Sequence, residues 1–195
     1  MKVIDISQEV FSCDVYPGDP VPRREVLQSM EEGELYNLSC FSMCAHNGTH
    51  VDAPAHFLRE GKTVEQLPLE QMVGPCYVAR CCGELSEGDA RSILERAGKA
   101  GAAQRILIAG DATVTAEAAG VFAAASVKLV GCEGQSVGPV DAPMQVHLIL
   151  LSAGVVLLEG IMLETVPEGR YFLFAAPLKL AGAEGSPCRA CLIEE

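Results

Sequence analysis

The sequence contains no tryptophan and has few basic residues. Only 5% of its 195 residues are aromatic, and 14 Lys and Arg stand against 26 Asp and Glu, which gives a formal net charge of −12. This excess of negative charge repels both the phosphate backbone of nucleic acids and anionic membrane surfaces. Nucleic acid is therefore a poor candidate partner.

Apolar runs long enough to span a membrane are also missing. The longest one, residues 148–158, contains Ser152 and Gly154 and is shorter than the ~20 residues that a membrane helix needs. Residues 1–6 alternate like a strand and lack the basic and apolar regions of a secretory signal. We therefore expect a cytoplasmic protein with no membrane partner.

The length and composition predict one folded domain over residues 1–195. One domain usually has ~100–200 residues, and a chain with 49% hydrophobic and 21% charged residues is far from the composition of a disordered protein. Nine cysteines, an odd number, are expected to remain thiols in a reducing compartment, most of them buried. A disulfide framework is therefore not expected.

The order of the predicted elements favours an α/β or α+β fold. Runs of aliphatic, aromatic and β-branched residues predict strands at residues 3–7, 35–45, 76–81, 105–108, 127–130, 155–158, 171–175 and 188–193. Capping signals predict helices at residues 87–98, at residues 116–125, and from Asp141 or Pro143 to residue 153. Hairpin-like strands come first and strand–helix alternation follows, so we expect a mixed sheet packed by helices.

Three of the four histidines, His46, His50 and His56, lie within eleven residues. A glycine, a proline and two β-branched residues in this segment favour extended backbone over a helix. In a strand, side chains two residues apart share a face, so these histidines and Asp52 would project together. The segment therefore predicts one chemically active face.

This face has the donor types of a divalent-metal site. His46, His50 and Asp52 would supply two imidazoles and a carboxylate to an ion such as zinc or manganese, with an open position for water, and His56 stands one step farther along. The alternative is that the histidines have no common purpose and that Asp52 caps a turn. We favour the metal site because strict alternation of these residue types has no packing purpose.

The fourth histidine, His147, and Glu159 flank the aliphatic region near residues 148–158. A buried carboxylate normally needs a partner or a metal, which would assign both residues to the same site. Alternatively, His147 lies on an exposed helix face and Glu159 at a solvated strand end. The spacing alone favours neither possibility.

The motif His46-x-Gly48-Thr49-His50-x-Asp52-x-Pro54-x-His56 resembles the signature of the cyclase family of metal-dependent hydrolases, which includes bacterial kynurenine formamidases. Similar family blocks are found at residues 4–7, 16–19, 61–70 and 177–187. The resemblance covers nearly the whole chain. It implies a cyclase-type β/α domain that assembles as a homodimer or larger homo-oligomer.

The resemblance also implies a centre with one or two divalent ions, zinc or manganese. His46 and His50 would bind one ion and His147 a second, and Asp52 and Glu159 would bridge the two. This implication favours the metal-binding alternative for His147 and Glu159.

Two further roles are implied by the same resemblance. His56 would be the general acid/base, and Tyr16 would face the substrate at a position where kynurenine formamidases commonly have tryptophan. The segment from Gly131 to Ser136 departs from the Gly-x-Asp-x-x-Ser pattern of the family. The substrate pocket is therefore expected to differ in detail.

The expected activity is amide hydrolysis, with N-formyl-L-kynurenine as the leading substrate and kynurenine and formate as products. Two alternatives remain: opening of a cyclic aryl amide, as in isatin hydrolases, and a non-catalytic metal-binding protein. His56 argues against the last, since pure metal binding gains little from an acid/base. A thiol enzyme based on Cys44 is disfavoured because nothing marks that residue as an activated thiolate.

Overall fold

The computed structural model describes residues 1–194, which form thirteen strands and three α-helices. The strands are β1 (Lys2–Asp5), β2 (Arg23–Gln28), β3 (Leu38–Ser42), β4 (His50–Asp52), β5 (Val73–Arg80), β6 (Gly83–Leu85), β7 (Arg105–Ala109), β8 (Ala112–Val114), β9 (Leu129–Cys132), β10 (Val156–Glu159), β11 (Gly169–Phe174), β12 (Gly185–Pro187) and β13 (Cys191–Glu194). The helices are α1 (Glu87–Lys99), α2 (Ala116–Ala124) and α3 (Met144–Ser152).

Nine of these strands form one mixed sheet in the order β1-β13-β11-β5-β7-β9-β10-β4-β12. The four central strands, from β5 to β10, are parallel to one another. Parallel neighbours need crossover connections, and α1, α2 and α3 each occur between consecutive members of this group. The flanking strands pair antiparallel. The predicted mixed α/β fold is confirmed.

The core lies on both faces of this sheet. Along β7, Ile106 and Ile108 belong to the cluster that contains Ile93 of α1 and Phe122 of α2. Leu107, between them, belongs to a second cluster on the opposite face. Because both faces are covered, the central strands are apolar throughout rather than alternating.

The predicted elements are present in the structure. The eight predicted strands correspond to β1, β3, β5, β7, β9, β10, β11 and β13, with ends displaced by at most three residues. Ser86 and Asp89 form the predicted capping box of α1, and Thr115 caps α2. The third helix begins at Met144, with Pro143 as its N-cap residue. Strands β2, β6, β8 and β12 were not predicted.

The β2–β3 arm (residues 23–42) is a separate two-stranded hairpin. None of its residues is buried, so both of its faces are accessible in the single chain. Several of its exposed side chains are large and apolar, and Leu35 is 92% exposed. A lone two-stranded hairpin is marginally stable in water. Phe41 contacts Phe11 outside the arm edge-on, but the large apolar side chains of the arm stay exposed.

The expectation that most cysteines are buried is wrong. Cys76 and Cys132 are buried, Cys40 and Cys82 are exposed, and the other five lie between these extremes. All nine are free thiols. Among residues 1–194, we find no helix with the length and apolar character required to traverse a bilayer.

Candidate metal centre and active site

The histidine segment is not one continuous strand, so the period-two interpretation is wrong over most of its length. Only β4, from His50 to Asp52, is strand, and it lies between β10 and β12. Before it, Gly48 adopts a left-handed conformation with φ of +64°, which favours glycine. After it, Pro54 opens a short 3₁₀ turn that ends at His56. The side chains converge because the chain turns on both sides of β4.

Two contacts hold this loop against the end of β10. The Thr49 hydroxyl donates a hydrogen bond to the Gly160 carbonyl oxygen at 2.6 Å. A Cβ atom at Gly160 would collide with the Gly48 carbonyl oxygen. Glycine at position 160 therefore allows the loop between His46 and His50 to approach the end of the strand that carries Glu159.

The five predicted metal ligands meet at this point. Nδ1 of His46 lies 2.8 Å from Oδ1 of Asp52, and Nε2 of His50 lies 3.3 Å from the same oxygen. The second carboxylate, Glu159, lies 3.4 Å from His50 Nε2 and 3.3 Å from His147 Nε2. His147 Nε2 is also 3.6 Å from Asp52 Oδ2. Three imidazoles thus surround two carboxylates.

Backbone carbonyls fix the orientation of two of these rings. Nδ1 of His50 lies 2.8 Å from the Gly48 oxygen, and Nδ1 of His147 lies 2.9 Å from the Pro143 oxygen. Each Nδ1 is therefore a donor, and each Nε2 faces the carboxylates, where the neutral ring would present its lone pair to a metal ion. This is the usual way in which a protein orients metal-binding imidazoles.

His147 and Glu159 are buried, each with 3% exposure. The alternative that placed them on an exposed helix face and at a solvated strand end is therefore wrong. The Val137 backbone N–H donates a hydrogen bond to Glu159 Oε1 at 2.7 Å. This bond satisfies Oε1 of Glu159, and Oε2 of the same carboxylate is directed toward His50.

The electrostatics of the centre favour positive charge. Burial opposes protonation of His147, but the Asp52 and Glu159 carboxylates outweigh it and raise the pKa of His147 to about 10. Burial likewise opposes protonation of His50, and the same carboxylates raise its pKa. Burial also opposes ionisation of Asp52, yet the surrounding imidazoles hold its pKa well below the usual range. The two carboxylates therefore give the centre negative charge that favours a bound cation.

The donor set fits a divalent ion. Three buried atoms, His46 Nε2, His50 Nε2 and Asp52 Oδ2, have no hydrogen-bond partner within the described residues. Ligand atoms of His50, Asp52 and Glu159 lie within 4.8 Å of one another. Buried polar atoms without a partner are costly unless a ligand satisfies them, and imidazole with carboxylate suits zinc or manganese.

His56 lies beside the centre with its ring against His46, at a centroid distance of 4.0 Å. Phe57 packs edge-on against the other side of the ring at 4.5 Å. Burial lowers the pKa of His56, which keeps the ring neutral and able to accept a proton. A ring nitrogen of His56 also lies within 4.8 Å of donor atoms of His46 and Asp52, so distance alone permits a ligand role.

A cavity of about 260 Å³ opens onto the centre. The predicted substrate residue Tyr16 lines it, and the Tyr16 hydroxyl donates a hydrogen bond to the Val140 oxygen at 2.6 Å. Cys44 lines it too, but burial raises the pKa of its thiol, which argues against a thiolate nucleophile. The complete lining consists of Tyr16, Asp19, Cys44, His46, His56, Phe57, Gln135, Ser136, Pro143, His147 and Glu159.

Several residues of the site were not predicted. A Cβ atom at Gly185 would lie 2.5 Å from the His46 ring, so glycine is needed there to seat the imidazole. Glu184 Oε1 lies 3.4 Å from His46 Nε2. Asp19 and Ser136 line the cavity. All of them lie in segments that the sequence analysis singles out, residues 16–19, 131–136 and 177–187, but their individual places depend on strand pairing and on turns far from the histidine motif.

The fold and the site together define an α/β protein with a candidate divalent-metal centre that opens into a small-molecule cavity. The family model "Putative cyclase" matches residues 4–139. Kynurenine formamidase of Salinibacter ruber is 34% identical to this chain, over 98% of this chain and 97% of its own length. The chain belongs to the cyclase family.

Solved structures agree with this assignment. A protein described as a potential metal-dependent hydrolase with cyclase activity is 31% identical, with a TM-score of 0.81, over 98% of this chain and 96% of its own. Isatin hydrolase A of Labrenzia aggregata has a TM-score of 0.85 over 100% of this chain and 94% of its own. At 22% identity, the second likeness shows a shared fold.

Proposed function

We propose that this protein is a metal-dependent amide hydrolase that converts N-formyl-L-kynurenine to kynurenine and formate. The observation that carries the proposal is the buried group of three imidazoles and two carboxylates, which opens with His56 into a small cavity. Similarity to a kynurenine formamidase over nearly the whole chain supports the choice of substrate.

His46, His50, Asp52, His147 and Glu159 are the proposed metal ligands. One or two ions fit this set, with zinc as the first choice and manganese as the second. A bound divalent ion supplies Lewis acidity and lowers the pKa of water. The Asp52 and Glu159 carboxylates place negative charge where the cation would bind. The bound cation would in turn set the position of the reacting carbonyl.

His56 is the proposed proton carrier. Its neutral imidazole accepts a proton from water as the water oxygen bonds to the formyl carbon, and returns a proton to the aryl nitrogen as the C–N bond breaks. Burial lowers the pKa of His56, so the ring starts neutral for the first transfer and readily gives up the proton in the second. The products are the free amine and formic acid, which ionises to formate and releases its proton to solvent, so atoms and protons balance. Phe57 restricts the ring to one side.

Tyr16 and Asp19 are the proposed binding residues for the aryl ring and the amino-acid group of the substrate. The Tyr16 ring offers a surface for an aryl group. The Asp19 carboxylate lines the same cavity, where it can pair with the ammonium group of an amino-acid substrate. Isatin has no ammonium group, so the presence of Asp19 favours N-formyl-L-kynurenine over the cyclic amide. A non-catalytic metal site would not require His56 at the cavity.

The substrate assignment is tested by steady-state assays on N-formyl-L-kynurenine, formanilide, isatin and simple aliphatic amides. We expect the highest kcat/KM for N-formyl-L-kynurenine. Asp19→Asn is expected to raise KM for this substrate about tenfold, consistent with one lost charge-assisted contact, while the constants for formanilide and isatin stay unchanged. Asp111→Asn, in a loop outside the cavity, is the matched control.

Two results would contradict the assignment. Turnover of N-formyl-L-kynurenine no faster than that of aliphatic amides would leave only the hydrolase class. A preference for isatin would select the cyclic-amide alternative. An equal effect of Asp19→Asn on all three aryl substrates would mean that Asp19 shapes the cavity instead of binding an ammonium group.

We also propose that the protein is a homodimer or larger homo-oligomer in which a second copy covers the β2–β3 arm. The arm exposes apolar side chains on both faces, including Val26, Leu35 and Phe41, and large exposed apolar patches mark interaction sites. Arg23 and Arg24 are exposed there together with four glutamates, Glu25, Glu31, Glu32 and Glu34. The apolar side chains, and not the charge of the arm, therefore carry this proposal.

Light scattering during size-exclusion chromatography tests this assembly. The wild-type protein is expected to have at least twice the mass of one chain, and a Val26→Asp/Phe41→Asp variant is expected to shift toward the monomer. Leu69→Asp, a substitution of an exposed leucine outside the arm, should leave the mass unchanged. A monomeric wild-type protein would refute the proposal.

Residues 1–195 are proposed to act as one cyclase-family domain. The pairing of β1 near the start with β13 near the end supports this organisation. The cytoplasmic location stays a prediction of the sequence.

A further inference from the structure

Ser136 stands out among the residues of the cavity because its hydroxyl has no partner. The side chain is 7% exposed, and its buried Oγ makes no hydrogen bond within residues 1–194. The residue lines the cavity together with His56 and Glu159. A buried hydroxyl without a partner costs free energy, so in native proteins such a group commonly meets a ligand or water.

The backbone around Ser136 is fixed to the strand end that carries Glu159. On one side, the Gly160 N–H donates a hydrogen bond to the Gly134 carbonyl oxygen at 2.9 Å. On the other, the Val137 N–H donates to Glu159 Oε1 at 2.7 Å. Ser136 lies between these two bonds. The backbone that carries Ser136 is therefore held against the strand end that contributes Glu159 to the candidate metal centre.

We propose that Ser136 Oγ–H donates a hydrogen bond to the carbonyl oxygen of the scissile amide. This inference rests on the proposed function. The carboxylates of Asp19 and Glu159 in the same cavity accept hydrogen bonds, whereas a carbonyl oxygen needs a donor, and a serine hydroxyl supplies one. Ser136 lines the same cavity as His56 and Glu159, where the reacting carbonyl would be bound.

This hydrogen bond strengthens during the reaction. When the water oxygen adds to the carbonyl carbon, negative charge develops on the carbonyl oxygen. A fixed donor aimed at that oxygen stabilises the charged form more than the neutral substrate. Loss of the hydroxyl should therefore affect kcat more than KM.

The test compares Ser136→Ala with the wild-type holoenzyme on N-formyl-L-kynurenine and on formanilide, which share the formamide carbonyl but not the amino-acid group. We expect kcat to fall at least about tenfold on both substrates with KM changed less than about twofold. Metal content and the unfolding temperature should match those of the wild type. Ser7→Ala is the control, since its hydroxyl donates to the Ala190 oxygen outside the cavity.

Three results would overturn the inference. They are an unchanged kcat, a loss confined to N-formyl-L-kynurenine with raised KM, and a loss accompanied by reduced metal content. The second would assign Ser136 to the amino-acid end of the substrate, and the third to support of the metal centre. If the wild type hydrolyses only isatin, the proposed function fails. The comparison of Ser136→Ala with the wild type is then made on isatin and tests whether the hydroxyl acts on the isatin carbonyl. A wild type that hydrolyses none of N-formyl-L-kynurenine, formanilide and isatin overturns both the proposed function and this inference.

Discussion

Replacing Asp52 with asparagine is expected to remove the bound metal and to lower kcat/KM by more than about 100-fold, since loss of an outer partner of a metal ligand alone typically costs about 10–100-fold. Asp52 is fully buried and contacts three imidazoles, those of His46, His50 and His147. The substitution preserves shape but removes the negative charge that offsets a cation. Elemental analysis and steady-state kinetics on the same preparation measure both losses.

Asp5→Asn is the matched control for this prediction. Asp5 forms an ion pair with Arg189 near the surface, about half exposed, and such pairs contribute little. The control should retain metal and activity. Circular dichroism establishes that the Asp52→Asn protein is folded. A folded Asp52→Asn enzyme with full metal content and full activity would show that the centre does not depend on this carboxylate.

Replacing His56 with alanine is expected to lower kcat by about 10²–10⁴-fold, the usual contribution of a positioned general acid/base, while metal is retained. The His56 ring lies on the cavity side of His46 and against Phe57. His147, by contrast, reaches both carboxylates with Nε2. His147→Ala should therefore lose metal together with activity.

The His56 and His147 variants form a matched pair, because each removes one imidazole next to the cavity. Elemental analysis of the two proteins separates the roles of these residues. Since His56 lies within ligand distance of His46 and Asp52, equal metal loss in both variants would make His56 a ligand. In that case another group must carry the proton.

The sequence predicts the elements whose signals are local. The Ser86 and Asp89 capping box begins α1 at the expected residue, because the hydrogen bonds of a cap join residues three positions apart. The central strands are recognisable because burial on both faces makes them continuously apolar. By contrast, β12 has three residues and owes its existence to pairing with β4, so its own sequence carries little signal.

The sequence names the five residues that meet at the candidate metal centre, but the regular alternation from which it does so is not what brings them together. Alternation was expected to align His46 and His56 with β4, whereas a left-handed Gly48 and a turn at Pro54 bring them together. The place of Gly185 against His46 depends on the register between β4 and β12. Such contacts join segments far apart in the chain and leave no local periodicity.

The order of the ligands along the chain has a consequence for the unfolded protein. The proposed ligands are contributed by the loop before β4, by β4 itself, by α3 and by the end of β10, so an ion that holds all of them would close a loop from His46 to Glu159. Such a closure acts as a reversible cross-link and removes chain entropy from the denatured ensemble, and the removed entropy grows with loop length. Ion concentration would therefore set resistance to heat, as mass action requires for a ligand that recognises only the native state.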